Sequence, residues 1–323
     1  MVQRKMVDRV LYDLDNQRPV LWYTTPMPIA FTHHLKARAV VYDCMDELSL
    51  FHGAPPALAE REALLLKHAD VVFTGGHSLY EYKRAHSQHR NIHPFPSSVD
   101  VPHFAQARDP LAEPADQAEI PHPRVGFFGV IDERMDLPLL SELADQRPDL
   151  QLVMIGPIAK IAPDSLPRRP NLHWLGRKGY RELPAYLAGW DVAMLPFARN
   201  DATRFISPTK TPEYLAAGKP VVSTSITDVV KPYGREGLAW IADTPGEFAA
   251  AIDEALRSDR VARIAHADAF LASLSWDRTW REMWGHVQRA IDARALRPSG
   301  LIPVARGAAS ANQPRQVRRG YED

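Results

Sequence analysis

The stretch Phe205–Ser223 combines residue types that could bind an anionic, ribose-bearing ligand. Ser207 can cap a helix and Pro208 is common in a first helical turn, so a helix start is predicted here. Backbone N–H groups at a helix start lack helical partners and, together with the helix dipole, favour an anion. Lys210 adds a positive charge at the same place. Glu213, one turn further, can accept hydrogen bonds from sugar hydroxyls.

The same residues also fit an ordinary helix of an α/β fold, with a capping serine and a solvated lysine. Pro212 has no N–H, so the main helix could begin at Thr211 or Pro212 instead. In either case Gly218 is predicted to end the helix, and Pro220–Val222 to form a strand buried on both faces. Helix starts of this kind are common in α/β folds, so the surroundings of the segment must decide between the two interpretations.

The composition of the chain excludes several classes of function. Its 323 residues suffice for two domains, and 39 Lys and Arg balance 39 Asp and Glu, so the basic excess of a nucleic-acid groove is absent. The single cysteine, Cys44, forms no internal disulfide and suits a reducing compartment. No apolar run reaches the ~18 residues of a membrane span, and the charged first twenty residues are no signal peptide. The chain is expected in the cytoplasm, with contact to the inner face of the cell membrane.

Buried apolar runs alternate with helical patterns along most of the chain, which predicts an α/β fold with parallel sheets. Residues 105–121, rich in Ala, Asp, Glu and Pro, are predicted to be a linker. The predicted units are a first domain over 1–104, a second over 122–275, a helix over 276–296 that crosses back to the first domain, and a disordered tail over 297–323. Strands are predicted at 20–24, 39–44, 70–74, 91–95, 125–129, 150–155, 171–175, 191–195, 221–224 and 238–241.

The position of Phe205–Ser223 in this scheme favours a ligand site. Two parallel-sheet domains bind ligands in the cleft between them, at the carboxyl ends of the strands. The segment follows the strand at 191–195, while Gly129–Arg134 and Gly176–Tyr180 follow two other strands of the second domain. Three loops are therefore expected to converge on one edge.

Three stretches resemble the GT-B glycosyltransferases of group 1, the glycogen-synthase-like class, and most closely its bacterial teichuronic-acid and exopolysaccharide enzymes. Glu213–Val222 resembles the family block Glu-Ala-Met-Ala-x-Gly-x-Pro-Val-Val, and Phe127–Gly129 the glycine-ended first strand of the donor domain. Phe95–Asp100 with Phe104 resembles the hinge after the first domain. The resemblance covers about residues 20–293 and implies two Rossmann-like domains facing a cleft, of which the first is shortened here.

The resemblance also implies an activity: retaining, metal-independent transfer of a sugar from a UDP- or GDP-sugar to a glycan or lipid-linked acceptor of the cell surface. No cofactor is expected. Fixed cations stabilise the departing diphosphate, which makes Lys210 and Arg134, with Arg204 as the alternative arginine, the candidate catalytic cations. The implied donor-binding residues are Gly129 beside the phosphates, Gly176, Arg177 and Tyr180 beside the base, Ser207, Pro208, Thr209 and Lys210 at the diphosphate, and Glu213 at the ribose.

Residues outside the donor segment also carry predictions about the acceptor side, the core and metal binding. Asp46 and Glu47 follow a first-domain strand at the cleft, where a carboxylate could serve the acceptor; Asp46 is the catalytic candidate, and a loop cap is the alternative. Phe205 stands where the family has the first glutamate of its Glu-x7-Glu motif. Trp276, Trp280 and Trp284 recur at every fourth residue, which predicts core packing. His86, His89 and His93 have loose metal-like spacing without further ligands, so no metal site is predicted.

Two other functions remain open on the sequence alone. Phe205 and the short first domain also fit a catalytically inactive or truncated transferase-like binding protein. A nucleotide-sugar epimerase of the same two-domain shape is the second alternative. The sequence argues against a dehydrogenase, because no Gly-x-Gly-x-x-Gly follows any strand.

Overall fold

Two separate parallel β-sheets organise the chain, whose computed structural model describes residues 2–15 and 18–296. The tail predicted over 297–323 lies outside the described residues. The first sheet has four strands in the order β1-β2-β3-β4. These strands are β1 Val20–Tyr23, β2 Ala39–Cys44, β3 Val71–Thr74 and β4 Ile92–Pro94.

The second sheet has six strands and reverses its strand order at one point. Its order is β10-β9-β8-β5-β6-β7. From the neighbouring strands β5 and β8, the sheet therefore extends to β6 and β7 on one side and to β9 and β10 on the other. In open parallel sheets such a switch point opens a crevice at the carboxyl ends of the strands, where ligands bind. The strands are β5 Arg124–Phe128, β6 Gln151–Ile155, β7 Leu172–Gly176, β8 Val192–Leu195, β9 Val221–Ser223 and β10 Trp240–Ile241.

Helices cover both sheets, as parallel sheets require. One hydrophobic cluster fills the second domain, and two smaller clusters lie on opposite faces of the first sheet. The helices are α1 Val2–Asp13, α2 Ile29–Thr32, α3 Ala57–His68, α4 His77–His86, α5 Val101–Ala105, α6 Ala115–Ala118, α7 Leu137–Gln146, α8 Leu183–Ala188, α9 Lys210–Ala216, α10 Thr227–Val229, α11 Pro245–Arg257, α12 Arg260–Leu271 and α13 Trp276–Ala295.

The segment predicted as a linker, 105–121, is packed against the second domain. It contains α6, and the fully buried Gln117 accepts a 2.9 Å hydrogen bond from the indole N–H of Trp190. Arg124 at the start of β5 forms an ion pair with Glu113 and donates to the carbonyl of Ile120 at 2.7 Å. These polar contacts hold the segment on the domain that follows it.

Helix α13 crosses back onto the first domain, but its tryptophan stripe does not form core. Val287, Ala290 and Ile291 are buried against β2 and β3. Trp276, Trp280 and Trp284 are 51, 53 and 41% exposed, so the prediction that they are core residues is wrong. They share a helix face with the buried residues, but lie near edge strand β1, where the Trp22 ring is 5.8 Å from that of Trp280 between centroids.

The absence of a side chain at Gly126, in the middle of β5, is required by the packing of Trp190. A Cβ atom at Gly126 would lie 2.0 Å from the indole ring, which is itself buried.

We expect Gly126→Ala to lower the free energy of unfolding by about 3 kcal/mol, as overpacking of a core does. Urea unfolding followed by circular dichroism measures this. The control is Gly246→Ala in α11, where a Cβ meets nothing within 4 Å; this change should alter stability by no more than about 1 kcal/mol. Equal effects of the two changes would contradict the packing argument.

Candidate functional site

Lys210 lies across the end of β5, at the switch point of the second sheet. Gly129 follows the strand with φ +154°, a conformation that favours glycine. A Cβ atom at Gly129 would lie 2.5 Å from Lys210 Cε and 2.9 Å from Phe127 Cζ. The lysine side chain therefore occupies the space that any other residue at position 129 would fill. Gly129 and Lys210, both predicted site residues, are in direct contact.

Glu213 and Lys210 place two opposite, half-buried charges on α9. Burial lowers the pKa of Lys210, with Glu213 opposing the shift and Arg134 adding to it. Burial raises the pKa of Glu213 to about 7, and Lys210 opposes that shift. Each group is thus less well solvated here than in water, and the charge of its neighbour compensates only in part. A ligand that brings phosphate charge to Lys210 and hydroxyl donors to Glu213 would supply the missing interactions.

The loop before α9 differs from the predicted helix start. The helix begins at Lys210, and Thr209 precedes it without a side-chain capping bond, so the prediction that Ser207 caps the helix is wrong, as is a start at Thr211 or Pro212. Among the described residues, the backbone N–H groups of Ser207 and Thr209 donate to no protein acceptor. Pro208 lies between them, so the loop offers two N–H donors beside the lysine.

The third loop of the site carries Tyr180 close to Glu213. β7 ends at Gly176, whose φ is +68° and whose missing Cβ would meet nothing within 4 Å. The Tyr180 ring stacks on His103 of α5, with centroids 4.2 Å apart and planes at 11°. Burial raises the pKa of Tyr180, and the charges of Asp100 and Glu213 add to the shift. Arg177 is exposed and has no ion-pair partner in the described ranges. His103 was not identified from the sequence, although it adjoins Phe104 of the hinge.

The first domain faces these loops with an acidic side chain. Asp46 follows β2 and is half-buried; burial raises its pKa, whereas Arg134 and Lys160 of the second domain oppose the shift. Arg134 is held by Asp132 at 2.7 Å. Its guanidinium lies 5.7 Å from the ring centre of Phe51, and the Lys160 amine 4.7 Å from the same ring. Phe51 and Lys160 are members of the cleft that the sequence analysis missed.

Two other candidates of the cleft are engaged elsewhere. Glu47 is buried and pairs with Lys83 at 2.5 Å, which makes it part of the first-domain interior. The exposed Arg204 lies over the ring of Phe205 at 5.1 Å. Phe205 itself stacks on Tyr82 of α4 at 4.5 Å between centroids. The residue in place of the family's glutamate thus contacts the other domain.

Residues 2–15 and 18–296 show neither a metal site nor a membrane span. Those residues contain no group of three or more His, Cys, Asp or Glu side chains placed to hold a metal ion. None of their helices combines the length and hydropathy that a bilayer crossing requires.

Comparison with known proteins finds a family match in the second domain. Residues 122–258 match the family described as glycosyl transferases group 1. The putative teichuronic acid biosynthesis glycosyltransferase TuaH of Bacillus subtilis (strain 168) is 26% identical over 302 residues, which span 87% of this chain and 70% of that protein.

Solved structures share the two-domain architecture. Sucrose-phosphate synthase from Thermosynechococcus elongatus superposes with a TM-score of 0.71 at 16% identity, covering 90% of this chain and 77% of the other. HepE from Anabaena, in complex with UDP and glucose, superposes with a TM-score of 0.66 at 15% identity, covering 88% and 81%. These likenesses confirm the expected GT-B fold, with a smaller first sheet.

The raised pKa of Glu213 makes the stability of the ligand-free protein depend on pH. The unfolded carboxyl group titrates near 4.5 and the folded one near 7, so between these values the folded state binds a proton that the unfolded state does not. Its contribution is full below about pH 4.5 and is lost as the pH rises to about 7.

We therefore expect Glu213→Gln to be more stable than the wild type at about pH 8 and equally stable at about pH 4, as urea unfolding at both values would measure. The control is Glu254→Gln on the exposed side of α11, which should follow the wild type at both pH values. A constant difference between Glu213→Gln and the wild type across this range would contradict the assignment.

Proposed function

We propose that this chain, a glycosyltransferase with a group 1 glycosyltransferase domain over residues 122–258, transfers a sugar from a UDP-sugar to a glycan acceptor in cell-surface polysaccharide assembly. The observation that carries the proposal is the Lys210 side chain over Gly129, next to Glu213, at the switch point of the second sheet. UDP is the favoured nucleotide because HepE, a protein of the same fold, was solved with UDP. The acceptor class follows the teichuronic acid assignment of TuaH.

In this proposal, different residues of the site bind different parts of the nucleotide sugar. Lys210 and the N–H groups of Ser207 and Thr209, with Pro208 holding the loop between them, bind the diphosphate. Gly129 allows the phosphates to approach the backbone. Glu213 accepts the ribose hydroxyls, and Tyr180 forms one wall for the base, with Gly176 and Arg177 beside it. Positive charge fixed in advance at the leaving diphosphate stabilises the transition state, because that is where negative charge develops.

Arg134 and Lys210 are proposed to supply the charge that a metal ion supplies in other transferases, which supports metal-independent transfer. Arg134 is oriented by its bidentate contact with Asp132 and also lies near Asp46. Asp46 is proposed to orient the acceptor by accepting a hydrogen bond from its attacking hydroxyl. Retention of anomeric configuration is proposed from the resemblance to group 1 enzymes.

A lipid-linked acceptor and peripheral contact with the inner face of the cell membrane form the last part of the proposal. Helix α1 supports it, since Val2, Met6 and Val10 are all more than half exposed at every fourth position. Arg4 and Arg9 of the same helix carry positive charge. An apolar stripe beside basic residues suits an interface with anionic headgroups.

A catalytically inactive nucleotide-binding protein is the second candidate, and Phe205 favours it. A benzyl side chain in place of a carboxylate removes a hydrogen-bond acceptor from the expected sugar site. Transfer of labelled sugar, or hydrolysis of the donor by the wild-type chain, would exclude this candidate.

Calorimetry with UDP tests the donor site. We expect Lys210→Ala to weaken UDP binding roughly 10- to 100-fold, because hydrogen bonds to charged groups contribute about 1.5–3 kcal/mol. Glu213→Ala should weaken UDP but not inorganic diphosphate. The control Lys67→Ala removes an exposed lysine of α3 and should leave affinity unchanged. Wild-type affinity in both site variants would refute the assignment.

Asp46 is tested through the acceptor. We expect Asp46→Ala to lower kcat/KM for the acceptor at least about tenfold, the loss of one charge-assisted hydrogen bond, while the affinity for UDP stays unchanged. Glu60→Ala, at an exposed carboxylate of α3, is the matched control. A parallel loss of UDP affinity would assign Asp46 to the donor half instead.

A further inference from the structure

Helix α4 of the first domain carries contacts that reach directly into the second domain. It follows β3 through Gly75 and Gly76, which are buried at the sheet edge that faces the cleft. Its N-cap position is Gly76, which has no side chain to accept a hydrogen bond from the first turn. A helix start without a side-chain cap leaves N–H donors that another group can satisfy.

Asp228 of the second domain supplies that cap from the other side of the cleft. Its Oδ1 accepts a 2.9 Å hydrogen bond from the backbone N–H of Ser78, in the first turn of α4. The residue is only 4% exposed, and its Oδ2 has no hydrogen-bond partner. A Cβ atom at Gly76 would lie 2.0 Å from this Oδ2, so glycine is required where the two domains meet.

The loop that precedes α9 rests on the same helix. A Cβ atom at Gly76 would also lie 2.8 Å from Ser207 Cβ, which places the serine against the start of α4. Two residues earlier, the Phe205 ring stacks on Tyr82, one turn further along α4. The loop that offers N–H groups and Lys210 to the ligand is therefore positioned by a first-domain helix as well as by its own domain.

We propose that Asp228 is a positioning residue that caps α4 across the cleft, holds the two domains closed and thereby sets the 205–210 loop for transfer. The interface contact at Phe205 and Tyr82 assists it from the other end of the loop. The activity readout of this proposal rests on the proposed function, whereas the distance readout does not.

The cap is suited to reversible closure. A capping carboxylate contributes about 1 kcal/mol, and burying it in the closed arrangement costs solvation that one unpartnered oxygen does not recover. Burial raises the pKa of Asp228, and the N–H of Ser78 and the charge of His77 oppose the shift. Asn accepts the same hydrogen bond without the buried charge. Asp228→Asn should therefore close as well as the wild type, whereas Asp228→Ala should not.

Electron–electron distance measurements test closure without any ligand. Spin labels at Lys67→Cys of α3 and Glu254→Cys of α11 report the separation of the domains, and the buried Cys44 does not compete for label. We expect Asp228→Ala to broaden the distance distribution toward longer values, and Asp228→Asn to retain that of the wild type. Asp259→Ala is the matched control, because Asp259 caps α12 at the same 2.9 Å within its own domain. A wild-type distribution for Asp228→Ala would overturn the proposal.

Kinetics test the consequence for transfer. We expect Asp228→Ala to lower kcat roughly fivefold, the value of one helix cap, while KM for the donor changes little, and Asp228→Asn to restore kcat. Loss of kcat in Asp228→Asn as well would overturn the positioning role. Tyr82→Ala, at a half-buried residue, weakens the second contact and should lower kcat in the same direction even if Asp228→Ala does not fold. A wild-type chain that binds no UDP would refute the proposed function and leave the distance test intact.

Discussion

The contact between Lys210 and Gly129 is the constraint on which the second domain's site depends. It requires a strand that ends in a residue without a side chain, opposite a short helix that begins with a cation. The switch in strand order between β5 and β8 provides this arrangement, because it leaves the end of β5 open to the loop after β8. Glu213 then lies on the same helix, close enough to shift the pKa of the lysine. The remaining loops add walls to a site whose charge is already fixed.

The two domains meet through a small number of polar and aromatic contacts rather than through a continuous core. Phe205 packs on Tyr82 and Asp228 caps α4, while the hydrophobic cluster of the second domain stays separate from the two clusters on the first sheet. Contacts of this kind contribute about 1 kcal/mol each and can be broken without unfolding either domain. Such an interface suits the proposed function, in which the cleft admits a nucleotide sugar and releases a nucleotide.

Local sequence signals predicted most of the fold, since they depend on neighbours in the chain. Buried runs such as Val71–Thr74 gave strands within one residue of their ends, and the predicted convergence of Gly129 and Lys210 after neighbouring strands is seen in their contact. Contacts between distant residues left no local pattern. Ser78 and Asp228 are 150 positions apart, so nothing near either residue indicates the cap. The prediction that the tryptophans of α13 are core residues was wrong for a related reason. Helical spacing predicts that they share a face, but not how far a four-stranded sheet covers that face.

In the proposed reaction, Phe205 restricts where the transferred sugar can be recognised. Its ring contacts Tyr82 and Arg204 and offers no hydrogen-bond acceptor. A glutamate there would lose an aromatic contact of about 0.5–1.5 kcal/mol and would bring negative charge near the proposed diphosphate. Sugar hydroxyls must therefore find their acceptors elsewhere in the cleft. Asp46, half-buried opposite Arg134 and Lys160, is the carboxylate that the first domain presents there. If the proposed function holds, the first domain contributes to the choice of sugar as well as of acceptor, and the proposed domain closure brings that carboxylate to the donor.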